Sequence, residues 1–225
     1  MSFMSKINLP TRITLARIVL VAGLLAALFG GWIANRSTGW ASPNLGLAHG
    51  RSISLINLIA CIVFVVAAST DALDGYLARS RNEVTDLGKF LDPVADKMLV
   101  NSMLIYLAIP AGFNQNAQLT IPAFCVILMV IRDLVVDALR FIAAEKKVVI
   151  AANIFGKLKT VFQMVAIPFA LLNSFPFFYF DGAWVNELRI ANILIYLATL
   201  MSVISGVIYV VQNRGVLAQS KEKKQ

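Results

Sequence analysis

Long apolar runs alternate with short polar segments along nearly the whole chain, and this alternation predicts the elements. The first run, Ile13 to Ala34, is long enough to cross about 30 Å of hydrocarbon. It is too long for a signal-peptide core and shows no cleavage site, so it predicts a retained helix behind a juxtamembrane lead, residues 1–12. Asn35 to Arg51 is polar and turn-rich, with Gly39, Pro43, Gly46 and Gly50, and reads as a loop. A second helix is expected over Ser52–Arg79 and a third from Asp86 to about Ile109. Pro93 lies inside the third, where a lost backbone hydrogen bond predicts a kink. An uncharged turn, Pro110–Leu119, leads to a fourth helix over Thr120–Ala144. Glu145–Phe155 is a connector, Gly156 opens a fifth helix, and Asn173–Arg189 returns as a loop to a sixth helix, Ile190–Gln212. A basic tail, residues 213–225, follows. The predicted fold class is all-α: six transmembrane helices forming one catalytic domain over 13–212, with no internal repeat.

Composition strengthens this reading. Of 225 residues, 59% are hydrophobic, which excludes an ordinary soluble domain. The net charge of +8 does not point to nucleic acid, because the basic residues gather at alternate ends of the apolar runs, as the positive-inside rule requires. The exceptions are Arg36, Arg51 and Arg189. The expected protein is thus multi-pass in the cytoplasmic (inner) membrane, with both termini inside and its charge directed to topology, anionic lipids and phosphates. Trp32, Trp40 and Trp184 fall at run boundaries and read as interfacial anchors. Cys61 and Cys125 lie within apolar runs, so no disulfide framework is implied.

Against this background, acids between apolar runs stand out, because each intramembrane carboxylate costs roughly 2.5–3.5 kcal/mol on insertion scales. At about 100° per residue, Asp71, Asp74, Gly75 and Ala78 share one helical face, and Gly88, Asp92 and Asp96 share another. If the two helices run antiparallel, the carboxylates can converge. Oxygen donors with no nearby His or Cys suit Mg²⁺, Mn²⁺ or Ca²⁺ rather than zinc. Gly75, Ala78 and Gly88 leave room for a ligand to approach the backbone. The pattern suggests metal-assisted phosphoryl chemistry; the alternative is a polar cavity in a cation-coupled transporter. Further along, Arg132, Asp133, Asp137 and Arg140 recur at helical spacing. They read either as a self-neutralising ion-pair set or as a wall on which Arg132 and Arg140 hold a second anion. Lys157 and Lys159 are expected on the same side of the membrane as the aspartates. Arg17 either snorkels to the surface or points inward to an anionic substrate.

The segment Asp71-x2-Asp74-Gly75-x2-Ala78-Arg79-x8-Gly88-x3-Asp92-x3-Asp96 resembles the signature of the CDP-alcohol phosphatidyltransferases at all eight of its fixed positions. The resemblance implies a CDP-lipid donor, two divalent ions (Mg²⁺ or Mn²⁺), release of CMP, and commonly a homodimer. It implies Asp71, Asp74, Asp92 and Asp96 as metal ligands, with Asp96 also the catalytic base. CDP-lipid contacts are implied for Asn8, Thr14, Arg17, Asp71, Asp74, Gly75, Ala78, Arg79 and Gly88. From about Asn8 to Ile167 the wording is similar to the branch that makes phosphatidylglycerophosphate from CDP-diacylglycerol and glycerol 3-phosphate. Arg132, Arg140, Lys157 and Lys159 are then the candidates for binding the acceptor phosphate. Phosphatidylinositol-phosphate and cardiolipin synthesis remain alternatives within the family. One departure is Asp133, which follows Arg132 where the branch carries Glu.

Overall fold

The computed structural model describes residues 9–39, 42–46, 52–80, 86–109, 119–146, 148, 153–177, 180 and 188–214; for residues 9, 10, 71–80, 86, 87, 89 and 90 it describes the backbone. Six helices make up most of the described chain: α1 (Leu9–Thr38), α2 (Leu55–Ser80), α3 (Asp86–Ala108), α4 (Ala123–Glu145), α5 (Ile154–Leu171) and α6 (Ile190–Gln212). Three of them, at Thr11–Thr38, Ile154–Leu171 and Ile190–Gln212, are long and apolar enough to cross a membrane. The apolar part of α2, Leu55–Thr70, is shorter. With large apolar side chains exposed on every helix, among them Phe29, Ile62, Ile105, Phe124, Val161 and Val207, this is an all-α membrane protein.

Several element ends differ from those expected. The helix α1 begins at Leu9 rather than Ile13 and continues to Thr38, because Pro10 is tolerated in a first helical turn and Ser37 and Thr38 bond back to the carbonyls of Ile33 and Ala34. The expected loop over 35–51 contains part of a two-stranded antiparallel ribbon, with β1 (Asn44–Gly46) paired to β2 (Ser52–Ser54). The second helix therefore starts at Leu55 rather than Ser52, its first amide bonding to the Pro43 carbonyl. The α5 helix opens at Ile154, where the Asn153 side chain accepts the Phe155 amide as an N-cap. Pro93 sits inside an α3 assigned as one continuous helix. Trp40, Trp184 and the tail from 215 onward lie outside the described residues.

The packing is two-ended. The inner face of α1 reads Thr11, Thr14, Arg17 and then Val21, Leu24, Leu28, all buried. In α5 it reads Lys159, Gln163 and then Ala166, Ile167, Ala170, Leu171. In α4 it runs from Cys125, Val126 and Met129 to Asp133 and Val136. The inner stripes of α1 and α5 thus change from polar to apolar along the helix, whereas in α4 Asp133 is the single charged residue in a buried stripe that goes on through Val136, Leu139 and Ala143. Because the chain reverses between α4 and α5, Asp133 meets Lys159 at the polar end. The apolar parts form one core through Phe64, Leu99, Met103, Leu104, Leu107, Met129, Ile167, Leu171 and Ile195. At the opposite end polar ties close the bundle: Asn173 Nδ2 donates to the Ser52 carbonyl, Asn192 Nδ2 to that of Thr120, and the Ile121 amide to that of Leu107.

Candidate active site

At the polar end, α1 meets α3 through a 2.6 Å hydrogen bond from Thr14 Oγ1 to Asp92 Oδ1. Thr14 and Arg17 are both buried, at 1% and 3% exposure, so Arg17 points into the bundle rather than out to the surface. Asp92 and Asp96 follow one turn apart on α3 and are both half-buried. Gly88, one turn before Asp92, is buried. These two carboxylates offer oxygen donors of the kind hard divalent cations take. Among the described residues no group of three or more candidate metal ligands comes together. Asp71, Asp74, Gly75, Ala78 and Arg79 lie on the last turns of α2, with their side chains outside the described residues, and Asn8 is outside them altogether.

Beside Asp96 opens a cavity of about 250 Å³ walled by α3, α4, α5 and α6. Its cations are Lys97, Arg132, Arg140, Lys157 and Lys159; its carboxylates are Asp96, Asp133 and Asp137. All four residues expected to take an acceptor phosphate therefore share one cavity with Asp96. They differ in how committed they are. Lys159, a residue 5% exposed, donates from Nζ to both Asp133 oxygens at 2.7 and 2.6 Å. Arg132 Nη1 donates to Asp133 at 3.1 Å and Nη2 to Ser205 Oγ. Arg140 donates to the Tyr209 hydroxyl at 3.0 Å and lies over its ring, 5.5 Å from the centroid. Lys97 pairs with Asp137. Lys157 lies on the wall and is exposed.

Of the four α4 charges, Arg132 pairs with Asp133 within the set, Asp137 pairs outside it with Lys97, and Arg140 meets the Tyr209 hydroxyl; all four line the cavity. With cations outnumbering carboxylates, the wall retains positive character suited to a phosphate. Lys97 and Gln163, which belong to the family wording but were given no role from sequence, and Asn101, Asn153 and Tyr209, which sequence reasoning missed, also line the cavity. Lys97 carried a signal, since it follows Asp96 directly; Tyr209 carried none, standing alone in an apolar helix.

The profile of the CDP-alcohol phosphatidyltransferase family matches residues 7–204. The chain belongs to this family. Its curated relatives include the CDP-diacylglycerol–glycerol-3-phosphate 3-phosphatidyltransferase of Bacillus subtilis, 35% identical over 95% of this chain and 98% of the relative. Proteins of the same name from Mycoplasma genitalium and Pectobacterium atrosepticum are 40% and 34% identical, covering 81% and 84% of this chain and 72% and 89% of the relatives. The match begins just before the Thr14 and Arg17 turns and continues into α6. It therefore takes in every wall of the cavity except Tyr209.

Proposed function

We propose that this CDP-alcohol phosphatidyltransferase transfers the phosphatidyl group of CDP-diacylglycerol to glycerol 3-phosphate, giving phosphatidylglycerophosphate and CMP. The observation that carries the reading is the cationic cavity beside Asp96, which places a candidate base next to a wall of basic side chains. The names of the relatives support the same acceptor.

In this scheme Asp71, Asp74, Asp92 and Asp96 would hold two divalent ions, Mg²⁺ or Mn²⁺, which would supply charge neutralisation for the phosphoryl oxygens and the departing CMP. Arg132, Arg140 and Lys157 bind the acceptor phosphate, while Lys159 acts mainly by fixing Asp133. Asp96 takes the proton from the acceptor hydroxyl as that oxygen attacks the lipid-bearing phosphorus. The new P–O bond forms as the bond to the CMP oxygen breaks, and positioning supplies much of the acceleration. Asn8, Thr14 and Arg17 from the start of the chain, with Gly75, Ala78, Arg79 and Gly88, surround the CDP-lipid headgroup.

The reading includes six spans, a homodimer, and a cytoplasmic site with both termini on that side of the inner membrane. For α3 and α4 the spanning assignment is supported by their apolar outer faces, such as Ile105 on α3 and Phe124, Ile127, Ile131 and Leu134 on α4. The test is CMP release by purified protein in detergent with CDP-diacylglycerol and Mg²⁺, adding glycerol 3-phosphate, inositol 1-phosphate, serine or phosphatidylglycerol singly. Turnover with glycerol 3-phosphate alone, abolished by chelator, is the expected result. Turnover with another acceptor would overturn the substrate assignment, and no turnover by folded protein would overturn the enzyme reading.

A further inference from the structure

The Arg132 side chain lies in a groove between α5 and α6 that is cut to its shape. A Cβ placed on Gly206 would stand 2.9 Å from Arg132 Cγ and 3.9 Å from its Cβ. A Cβ on Gly156 would stand 3.2 Å from both Arg132 Nη2 and Ser205 Oγ. At Gly206 the atoms met are those of the arginine stem, so the space the glycine leaves is filled by Arg132 rather than by a neighbouring backbone. The stem cannot yield cheaply, because Cγ sits near the fixed end of the chain. At the far end, Asp133 and Ser205 each accept one hydrogen from the guanidinium. An arginine presents five N–H donors in a rigid fork, so donors remain on a group whose plane is already set. Arg132 Nε is buried with no hydrogen-bond partner among the described residues, so within the groove it is the stem's packing, not a bond from Nε, that fixes the side chain.

We infer that Gly156, Ser205 and Gly206 are positioning residues: they form a slot that holds the Arg132 guanidinium on the cavity wall for the acceptor phosphate. The inference rests on the proposed glycerol 3-phosphate reading and deepens it, by assigning α6 a share in acceptor recognition. None of the three is a catalytic residue, since each acts through Arg132. The slot accounts for small residues at the start of α5 and within α6, at places where the apolar run alone would accept Ala or Leu.

The experiment is a kinetic double-mutant cycle in detergent, with CMP release as the assay. Gly206→Ala is expected to raise the KM for glycerol 3-phosphate about tenfold, with the KM for CDP-diacylglycerol changed less than about twofold, the signature of a binding interaction lost on one substrate. In an Arg132→Ala background the close Cγ is gone and the added methyl meets only the remaining Cβ at 3.9 Å, an ordinary van der Waals contact, so Gly206→Ala is expected to have no further effect on either KM. Ser205→Ala, which adds no bulk, should raise the acceptor KM in the wild-type background and not in Arg132→Ala. Gly23→Ala, whose methyl meets nothing within 4 Å, controls for the loss of a helical glycine. Equal effects on both substrates, or the same effect with and without Arg132, would make the slot a matter of helix packing and overturn the inference. If Gly206→Ala does not fold, the Ser205 arm of the cycle decides alone. Wild-type protein that ignores glycerol 3-phosphate would instead overturn the acceptor reading, an outcome seen before any variant is made.

Discussion

Thr14 is the residue whose surroundings add most to its sequence reading. The family resemblance assigns it to the CDP-lipid, yet its hydroxyl donates to Asp92 across 2.6 Å, so under the proposed metal-holding role of Asp92 it would orient that ligand. Thr14→Ala is expected to raise the Mg²⁺ concentration for half-maximal activity about tenfold, with Thr14→Ser close to wild type. A rise in the KM for CDP-diacylglycerol at saturating Mg²⁺ would return Thr14 to the nucleotide. Asp96→Asn should keep CDP-lipid binding and lower turnover by at least about 10²-fold; turnover near wild type would remove Asp96 as the base. At this scale the sequence was legible where chemistry is local. The spacing of Asp92 and Asp96 on one face follows from helical geometry, as does the recurrence from Arg132 to Arg140. The Thr14–Asp92 contact spans 78 positions, and no periodicity encodes such a meeting. The slot around Arg132 was illegible for the same reason: Gly156 and Gly206 become informative once it is known which side chain faces them.

At the scale of elements, the joint between α4 and α5 is set by Asp133 and Lys159. Both are buried, at 8% and 5% exposure, with their charged atoms at 2.6 and 2.7 Å. Removing one partner of such a pair costs about 3–5 kcal/mol, because the other is left uncompensated. Asp133→Asn is accordingly expected to lower the thermal unfolding midpoint in detergent, and Asp133→Asn with Lys159→Met to recover part of the loss. An unchanged midpoint for Asp133→Asn would show that the pair carries no stability. Helix number and order were readable from the apolar runs because polar segments separate them, even though among the described residues only three of the runs are long and apolar enough to cross a membrane. Element ends were less so. The start of α1 at Leu9 depends on a proline that suits a first turn as well as a loop, and the β1–β2 ribbon is too short to produce an alternating pattern.

For the whole molecule, the gathering of polar stripes at one end makes orientation testable. Ser37, near the end of α1, and Arg214, just beyond α6, are both exposed, and the proposed topology puts them on opposite sides. In intact cells a membrane-impermeant maleimide should label Ser37→Cys, and should label Arg214→Cys only after permeabilisation. The native Cys61 and Cys125 are buried and add little background. Labelling of both positions from outside would overturn the six-span arrangement.

The ion pairs of α4 also bear on how the chain enters its membrane. Helices are made in order, and each intramembrane charge that arrives alone costs roughly 2.5–3.5 kcal/mol at the helix centre. Asp137 emerges after Lys97, its partner on α3. Asp133 emerges directly after Arg132, its partner on the same helix. Lys159 comes last, to a carboxylate already in place. In the proposed six-span arrangement, the two paired acids of α4, Asp133 and Asp137, each follow a counter-charge in the order of synthesis, so neither has to enter lipid ahead of its partner.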